Sequence, residues 1–151
     1  MNFLISIIAA IILVVIGRDF IKKHATLCYL LTTLLSIALV AGSFSGIIWT
    51  LPPWFTTTIL PILIKSTFAT SIFVIVMYTG AFKNGSKFIK FLMPIRGELS
   101  IIASILTLAH NISFGRNHFV NLFTAPETMS SNMKAAAGVS IILIAIMIPL
   151  F

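Results

Sequence analysis

The sequence predicts an all-α fold, a polytopic transmembrane helical bundle of about five helices that forms a single membrane domain over residues 1–151. Hydrophobic residues make up 59% of the chain and charged residues only 9%, whereas a soluble domain carries about 25% charged residues. The mean hydropathy is +1.14. Apolar runs of about 17–25 residues, the length that a bilayer-spanning helix needs, recur along the chain. These observations indicate an integral membrane protein, and the lipid bilayer is its first expected partner.

Five apolar runs give the predicted spans, namely 2–17, 26–50, 57–82, 97–114 and 133–151. The first run has no basic residue before it and no small-residue cleavage site after it, so we expect a permanent helix rather than a signal peptide. The second run ends near tryptophans and paired prolines, which favour a membrane interface and a turn. In the third run, Pro61 and Lys65 predict an interfacial turn before a helix from about Ser66 to Phe82.

The basic residues predict the orientation of the chain. Seven of the ten basic residues lie in the predicted connections 18–25 and 83–96, and the other three are Lys65, Arg116 and Lys134. Short loops that are rich in Lys and Arg stay in the cytoplasm. We therefore expect a multi-pass protein of the cell (plasma) membrane with its N-terminus outside. The net charge of +7 is mainly a topology signal, and nucleic acid is not an expected partner.

Few residues are available for soluble enzyme chemistry, and no catalytic residue is assigned. The only acidic residues are Asp19, Glu98 and Glu127, and none has a neighbouring carboxylate for glycosidase or two-metal chemistry. Cys28 is the only cysteine, which excludes a disulfide framework or a thiolate zinc site within the chain. Glycine-rich phosphate-binding motifs are absent from the sequence as well. Any redox or transport function must be embedded in the membrane or shared with partners.

His110 is the candidate functional residue because it lies in the apolar segment RGELSIIASILTLAH. An imidazole inside a membrane is costly and is therefore a functional-site hypothesis by default. Arg96, Ala103, Thr107 and His110 fall on one side of a helix, and the small Ala103 and Thr107 predict a shallow recess beside the imidazole. Such a recess suits a planar macrocycle, and it equally suits an ordinary helix–helix contact. Metal or heme ligation, proton transfer and an interhelical hydrogen bond all remain open.

The run TGAFKNGSKFIKFLMPIRGELSIIASILTLAHNISFG resembles the core of the ferric reductase-like transmembrane domain superfamily. That superfamily includes the heme-binding membrane subunit of the methionine sulfoxide reductase system. The resemblance covers residues 66–151, where Arg96, Leu99 and His110 match the family pattern and Ser100 replaces its usual glycine. Residues 1–65 contribute two N-terminal helices without a signature.

The resemblance implies a b-type heme that carries electrons across the membrane, as the membrane component of an oxidoreductase. His110 would be an axial ligand of the heme iron, and Arg96, Ala103 and Thr107 would line the cofactor. The family takes its second ligand from a helix that would lie downstream of Phe151, so we expect an incomplete C-terminus or a second subunit. His118 is an alternative second ligand only if the helix breaks near Gly115. A redox partner protein or a quinone would supply the electrons.

The competing hypothesis is a non-redox small membrane protein, such as a transporter half or an assembly subunit, with His110 in helix packing. Gly42 and Gly46, in the segment GSFSG, favour close packing with another helix or a second subunit. Against a transporter stand the scarcity of intramembrane carboxylates and the lack of an evident inverted repeat.

The first testable prediction is the topology. Reporter fusions after Lys23 and after Lys90 should both report a cytoplasmic location, because both sites follow clusters of basic residues. A fusion after Ala125, in the connection of the opposite side, is the matched control and should report the outside. An extracellular signal from either basic site would contradict the orientation.

Overall fold

The computed structural model describes residues 2–81 and 86–147. It divides into two compact units, residues 1–113 and 114–151, which are described separately. Every regular element in the described residues is helical. The α-helices are α1 (Asn2–Lys23), α2 (Ala25–Ser45), α3 (Leu60–Ile64), α4 (Thr67–Ala81), α5 (Lys87–Leu92), α6 (Arg96–His110), α7 (Arg116–Thr124) and α8 (Ser131–Met147). The all-α prediction is thus confirmed for the described part of the chain.

Several helices have the length and composition to cross a membrane. Among the described residues, three helical segments meet both criteria, namely Phe3–Lys23, Ala25–Ser45 and Ile89–Ser113. A fourth span results if the bent pair Phe55–Ile64 and Thr67–Thr79 counts as one. The predicted fifth span, 133–151, is helical in its described part, which belongs to α8. Residues 148–151 of that prediction lie outside the described residues. The chain is therefore a helical membrane protein with three to four candidate spans in its described part.

The first helix is longer than the sequence predicts. α1 continues through Arg18 to Lys23, and only His24 separates it from α2. The expected connecting loop over residues 18–25 is therefore wrong, and its basic residues lie on the last turns of a helix. Cations at a helix C-terminus interact favourably with the helix dipole, which explains how this basic segment remains helical. The expected connection 83–96 is also largely helical, because α5 and the 3₁₀ turn Met93–Ile95 occupy its described part.

The core of the first unit forms where α1, α4 and α6 pack together. Ala10 of α1, Ile72 of α4 and Ala103 of α6 are completely buried there. The small Ala10 and Ala103 allow close helix approach, which supplies the van der Waals packing that associates helices in lipid. Large apolar side chains point away from the core, and Ile16 is 79% exposed. This outward apolar surface is what a bilayer requires of a membrane helix.

Arg18 fixes the short helix α5 against the end of α1. Its Nε donates a hydrogen bond of 2.9 Å to the carbonyl oxygen of Phe91. Its guanidinium carbon lies 4.7 Å from the centre of the Phe91 ring, within the range of a cation–π interaction. Arg18 also pairs with the exposed carboxylate of Asp19 at 3.0 Å. Arg18 therefore joins two helices, although the sequence identifies it only as one of the basic residues that predict the orientation of the chain.

Both glycines of the GSFSG segment have roles within the chain. Gly46 ends α2 with φ of +76°, a left-handed conformation that glycine adopts without steric cost. A Cβ on Gly42 would lie 3.4 Å from the Cβ of Ile48, so the turn after α2 folds back closely onto this helix. These local constraints account for the two glycines within the chain, and packing of this segment with another helix or a second subunit stays a prediction.

The second unit contains α7 and α8. His118, which the sequence places in an outer loop, lies on α7 and is half-buried. Gly115, which precedes α7, has helical backbone angles of φ −70° and ψ −31°. The ligand role of His118, expected only with a helix break near Gly115, stays a prediction.

Replacing Gly46 tests the helix end. Gly46→Ala should lower the free energy of unfolding by about 1 kcal/mol, because alanine is unfavourable at positive φ. Gly97→Ala is the matched control, since Gly97 lies within α6 and a Cβ there meets nothing within 4 Å. Denaturant titration in mixed micelles measures both variants. Equal stability of the two would contradict the role assigned to Gly46.

Candidate functional site: His110 and the broken third span

The third predicted span, 57–82, is broken at residues 65–66. α3 ends at Ile64, α4 begins at Thr67, and the two segments are bent by 46°. Between them, Ser66 has φ of +58° and is buried. A positive φ costs energy for a residue with a Cβ and persists only where its surroundings hold it. The break is therefore a constrained feature of the fold.

A broken helix leaves carbonyl oxygens without their usual partners, and side chains replace those partners here. In a continuous helix the amide of Ser66 would bond to the carbonyl of Ile62, but it bonds to Leu63 instead. The hydroxyl of Thr67 donates to the Ile62 oxygen at 3.0 Å. The imidazole Nδ1 of His110 lies 2.6 Å from the Ile64 oxygen. The carbonyls of Ile62 and Ile64 are thus satisfied inside the protein.

The contact with Ile64 fixes the tautomer of His110. A carbonyl oxygen only accepts hydrogen bonds, so Nδ1 must carry the proton. In the neutral ring, Nε2 then carries the lone pair. The bond joins two residues that are 46 positions apart and belong to different helices. His110 therefore acts as an interhelical hydrogen-bonding residue, one of the roles left open by the sequence.

Further hydroxyl groups extend this polar region around the break. The hydroxyl of Ser6, which is completely buried in α1, donates to the Thr67 hydroxyl oxygen at 3.1 Å. Thr70 donates to the Ser66 carbonyl at 2.8 Å, and the buried Ser71 donates to the Thr67 carbonyl at 2.8 Å. We call Ser6, Ser66, Thr67 and His110 the break cluster. It connects α1, the broken span and α6.

The other predicted site residues do not gather around His110. Ala103 is completely buried in the core between α1, α4 and α6, so a macrocycle beside it would require that core to open. Thr107 donates to the Ala103 carbonyl of its own helix at 2.9 Å. Arg96 is exposed at the far end of α6, about 21 Å from His110 by helix rise. The predicted recess is therefore filled by neighbouring helices, while the heme assignment itself stays a prediction.

The described residues contain no group of three His, Cys, Asp or Glu side chains that could hold a metal ion. His24, at the junction of α1 and α2, contacts the ring of Phe20 with centroids 5.1 Å apart. Cys28 is a free thiol and half-buried.

Sequence reasoning identified His110 but missed most of the break cluster. Pro61 and Lys65 interrupting an apolar run did predict a break, and α4 begins within one residue of the predicted position. Ser6 and Thr67 carry no sequence signal of their own, because isolated hydroxyl residues are common in membrane helices. A membrane segment interrupted by proline and followed by Ser and Thr is the pattern that points to such a cluster.

Comparison with known proteins finds a relative that matches almost the whole chain. An uncharacterised protein of Treponema pallidum (strain Nichols) is 36% identical over 147 residues, which is 97% of this chain and 40% of the relative. The chain therefore spans about two fifths of the length of this relative. No protein-family profile matches the chain, and no solved structure matches it.

Replacing His110 tests whether its hydrogen bond to the Ile64 carbonyl stabilises the broken span. His110→Ala should lower the free energy of unfolding by about 1–2 kcal/mol, because the Ile64 carbonyl loses its donor in an apolar environment. His110→Asn should recover part of this loss, since its amide nitrogen replaces Nδ1 as a donor. Denaturant titration in mixed micelles measures both variants.

Thr107→Val is the matched control for this test. Thr107 lies one turn before His110 and, among the described residues, bonds to the Ala103 carbonyl of its own helix, so its replacement should change stability little. If His110→Ala behaves like Thr107→Val, the hydrogen bond to Ile64 does not stabilise the fold.

Proposed function

We propose that this chain is a non-redox membrane protein of the transporter class, in which the broken span is the functional element and His110 stabilises it. The observation that carries this proposal is the hydrogen bond between His110 Nδ1 and the Ile64 carbonyl at 2.6 Å. It assigns the intramembrane histidine to the support of a helix break. The proposal also accounts for Thr67, which supports the neighbouring carbonyl.

Helix breaks within the membrane have a known physical cost and a known use. Non-helical backbone at membrane depth is tolerated only where protein or a water-filled cavity satisfies it. Transporters use discontinuous helices because their unwound carbonyls and helix ends bind substrates or ions. The break cluster supplies carbonyl and hydroxyl oxygens in a region that is otherwise apolar. Such oxygens suit a small polar solute or a cation better than an anion.

The depth of the break supports this interpretation. α6 rises about 21 Å from Arg96 to His110, and this rise supports a position of the break cluster within the thickness of a bilayer rather than at the end near Arg96. Ser6 lies about 6 Å along α1 from its first residue. In the proposed orientation, with the N-terminus outside and five spans in the plasma membrane, the cluster lies in the outer leaflet. Lys65, which is exposed beside it, extends toward the interface.

Cysteine accessibility tests whether the break faces a polar pathway. Cys28 is the only cysteine, so Cys28→Ala gives a cysteine-free chain into which Ser66→Cys is introduced. A water-soluble, positively charged methanethiosulfonate reagent should label Ser66→Cys at least about tenfold faster than a lipid-facing site, because only a hydrated thiol ionises and reacts.

Two matched positions on α4 control this experiment. Met77→Cys reports lipid exposure, because Met77 is 73% exposed on an apolar surface, and Ile72→Cys reports the dry core, because Ile72 is completely buried. Labelling of Ser66→Cys that is no faster than labelling of these two sites would contradict a polar pathway at the break.

Electron transfer through a b-type heme is the second candidate function. The observation that favours it is the Nδ1–H bond to a backbone carbonyl, since metal-binding histidines usually make this bond with the nitrogen that does not bind the metal. The heme would supply reversible one-electron chemistry. Within this chain, His110 would hold the iron through Nε2, and the resemblance to ferric reductase-like domains implies a partner protein or quinone as electron donor.

The visible spectrum of the purified chain separates the two candidates. The transporter proposal predicts no b-type absorbance after expression with added hemin. If b-type bands are present, they should be lost in His110→Ala and retained in His24→Ala, because only the first variant removes a nitrogen ligand from the membrane interior. Such a result would replace the transporter proposal with the heme function.

A further inference from the structure

The last turns of α1 and the short helix α5 form a basic end of the first unit. Four exposed lysines lie there, namely Lys22 and Lys23 of α1 and Lys87 and Lys90 of α5. In the described part of the chain none of them pairs with a carboxylate, and the nearby Asp19 is paired with Arg18. Clustered positive charge attracts anions, so this end of the unit suits a negatively charged partner.

An apolar groove of about 450 Å³ leads to this basic end. It lies between α1 and α4, and Phe91 and Leu92 of α5 line it at the end next to Arg18. On α1 its wall runs from Ile7 to Val15, a length of about 12 Å by helix rise. One leaflet is about half of a hydrocarbon core that is about 30 Å thick. The groove therefore follows most of one leaflet.

Helical spacing places the groove and the basic residues on one face. The groove residues of α1 recur every three or four positions up to Val15, and Arg18 and Lys22 continue that spacing. On α5, Lys87 lies four residues before Phe91 and thus on the same face of this helix. By helix rise, Arg18 lies about 5 Å and Lys22 about 10 Å beyond Val15. These distances match the headgroup layer that follows the hydrocarbon core.

Arg18 connects the groove to the basic end. Its guanidinium lies over the ring of Phe91, one of the groove residues, at 4.7 Å from the ring centre. A guanidinium has five N–H donors, and in the described part of the chain Phe91 and Asp19 take two of them. The side chain is 26% exposed, and a phosphate is an acceptor that guanidinium groups bind strongly. Arg18 is therefore suited to hold a phosphate at the mouth of the groove.

We infer that the groove between α1 and α4 binds an acyl chain of an anionic phospholipid, whose phosphate pairs with Arg18 while Lys22 and Lys87 attract its charge. The apolar walls suit the chain, and basic residues beside a membrane surface favour anionic headgroups. A zwitterionic headgroup brings an ammonium of its own, which the lysines repel. A soluble anion would leave the apolar walls uncovered. This site is separate from the break cluster and does not depend on the proposed transport function.

Native mass spectrometry of the 151-residue chain in detergent micelles tests this site. The lipid probe is phosphatidylglycerol, and its matched control is phosphatidylcholine with the same acyl chains. One phosphatidylglycerol should bind with at least about tenfold higher affinity than phosphatidylcholine, because each basic residue near the headgroup contributes about fivefold. Soluble glycerophosphoglycerol, which has this headgroup without acyl chains, should not displace the lipid at equal concentration. Equal affinity for both lipids, or displacement by the soluble headgroup, would overturn the inference.

Lysine variants identify the source of the preference. Lys22→Gln combined with Lys87→Gln should lower the affinity for phosphatidylglycerol at least about tenfold and leave the affinity for phosphatidylcholine unchanged. Lys65→Gln combined with Lys134→Gln is the matched control, because it removes the same charge from segments that do not line the groove. A loss of the same size in the control pair would show that net charge alone sets the affinity, and would overturn the assignment to the basic end.

A groove variant tests the acyl-chain part of the site. Val15→Trp fills the groove and should remove the one-to-one binding of phosphatidylglycerol, since Val15 forms part of its wall. Ile16→Trp should leave that binding unchanged, because Ile16 is 79% exposed and does not line the groove. Unchanged phosphatidylglycerol binding in Val15→Trp would overturn the inference and leave only the general attraction of a basic surface.

Discussion

The satisfaction of backbone carbonyls at the helix break is the constraint on which the architecture of this protein depends. A membrane core contains no water to bond with an exposed carbonyl, so the gap between α3 and α4 is stable only if other groups supply donors. Thr67 supplies a donor to the Ile62 carbonyl from within the broken span, and His110 supplies a donor to the Ile64 carbonyl from α6. This requirement fixes the end of α6 beside the break, and with it the pairing of α4 with α6.

In the first unit, apolar packing and polar contacts occur at two different levels. One level contains the apolar core of α1, α4 and α6, where residues such as Ala103 allow the helices to approach closely. The other level contains the break cluster, where Ser6 of α1 reaches Thr67. Since lipid provides no hydrophobic force between helices, close packing and interhelical hydrogen bonds must supply the association energy. The same three structural segments meet at both levels, so a change at one affects the other.

The sequence predicted what depends on composition and local pattern. It indicated an all-α membrane protein, and Pro61 with Lys65 placed the break before α4 almost correctly. It could not predict that residues 18–23 remain helical, because basic residues suit both a cytoplasmic loop and a helix C-terminus. Nor could it predict the partner of His110. The Ile64 carbonyl is a backbone group, and no side-chain pattern identifies it across 46 positions.

The two hypotheses for His110 differ in the space that they require rather than in the chemistry of the ring. The hydrogen bond to Ile64 uses Nδ1, whereas ligation of an iron would use Nε2, so one imidazole supports both roles in principle. A heme, however, also needs an apolar slot beside the histidine, and the slot expected at Ala103 is filled by the core. The helix break needs no additional volume, because its partners already lie within hydrogen-bonding distance. The hydrogen bond to Ile64 is a contact that the structure contains, so the broken span is the element to test first.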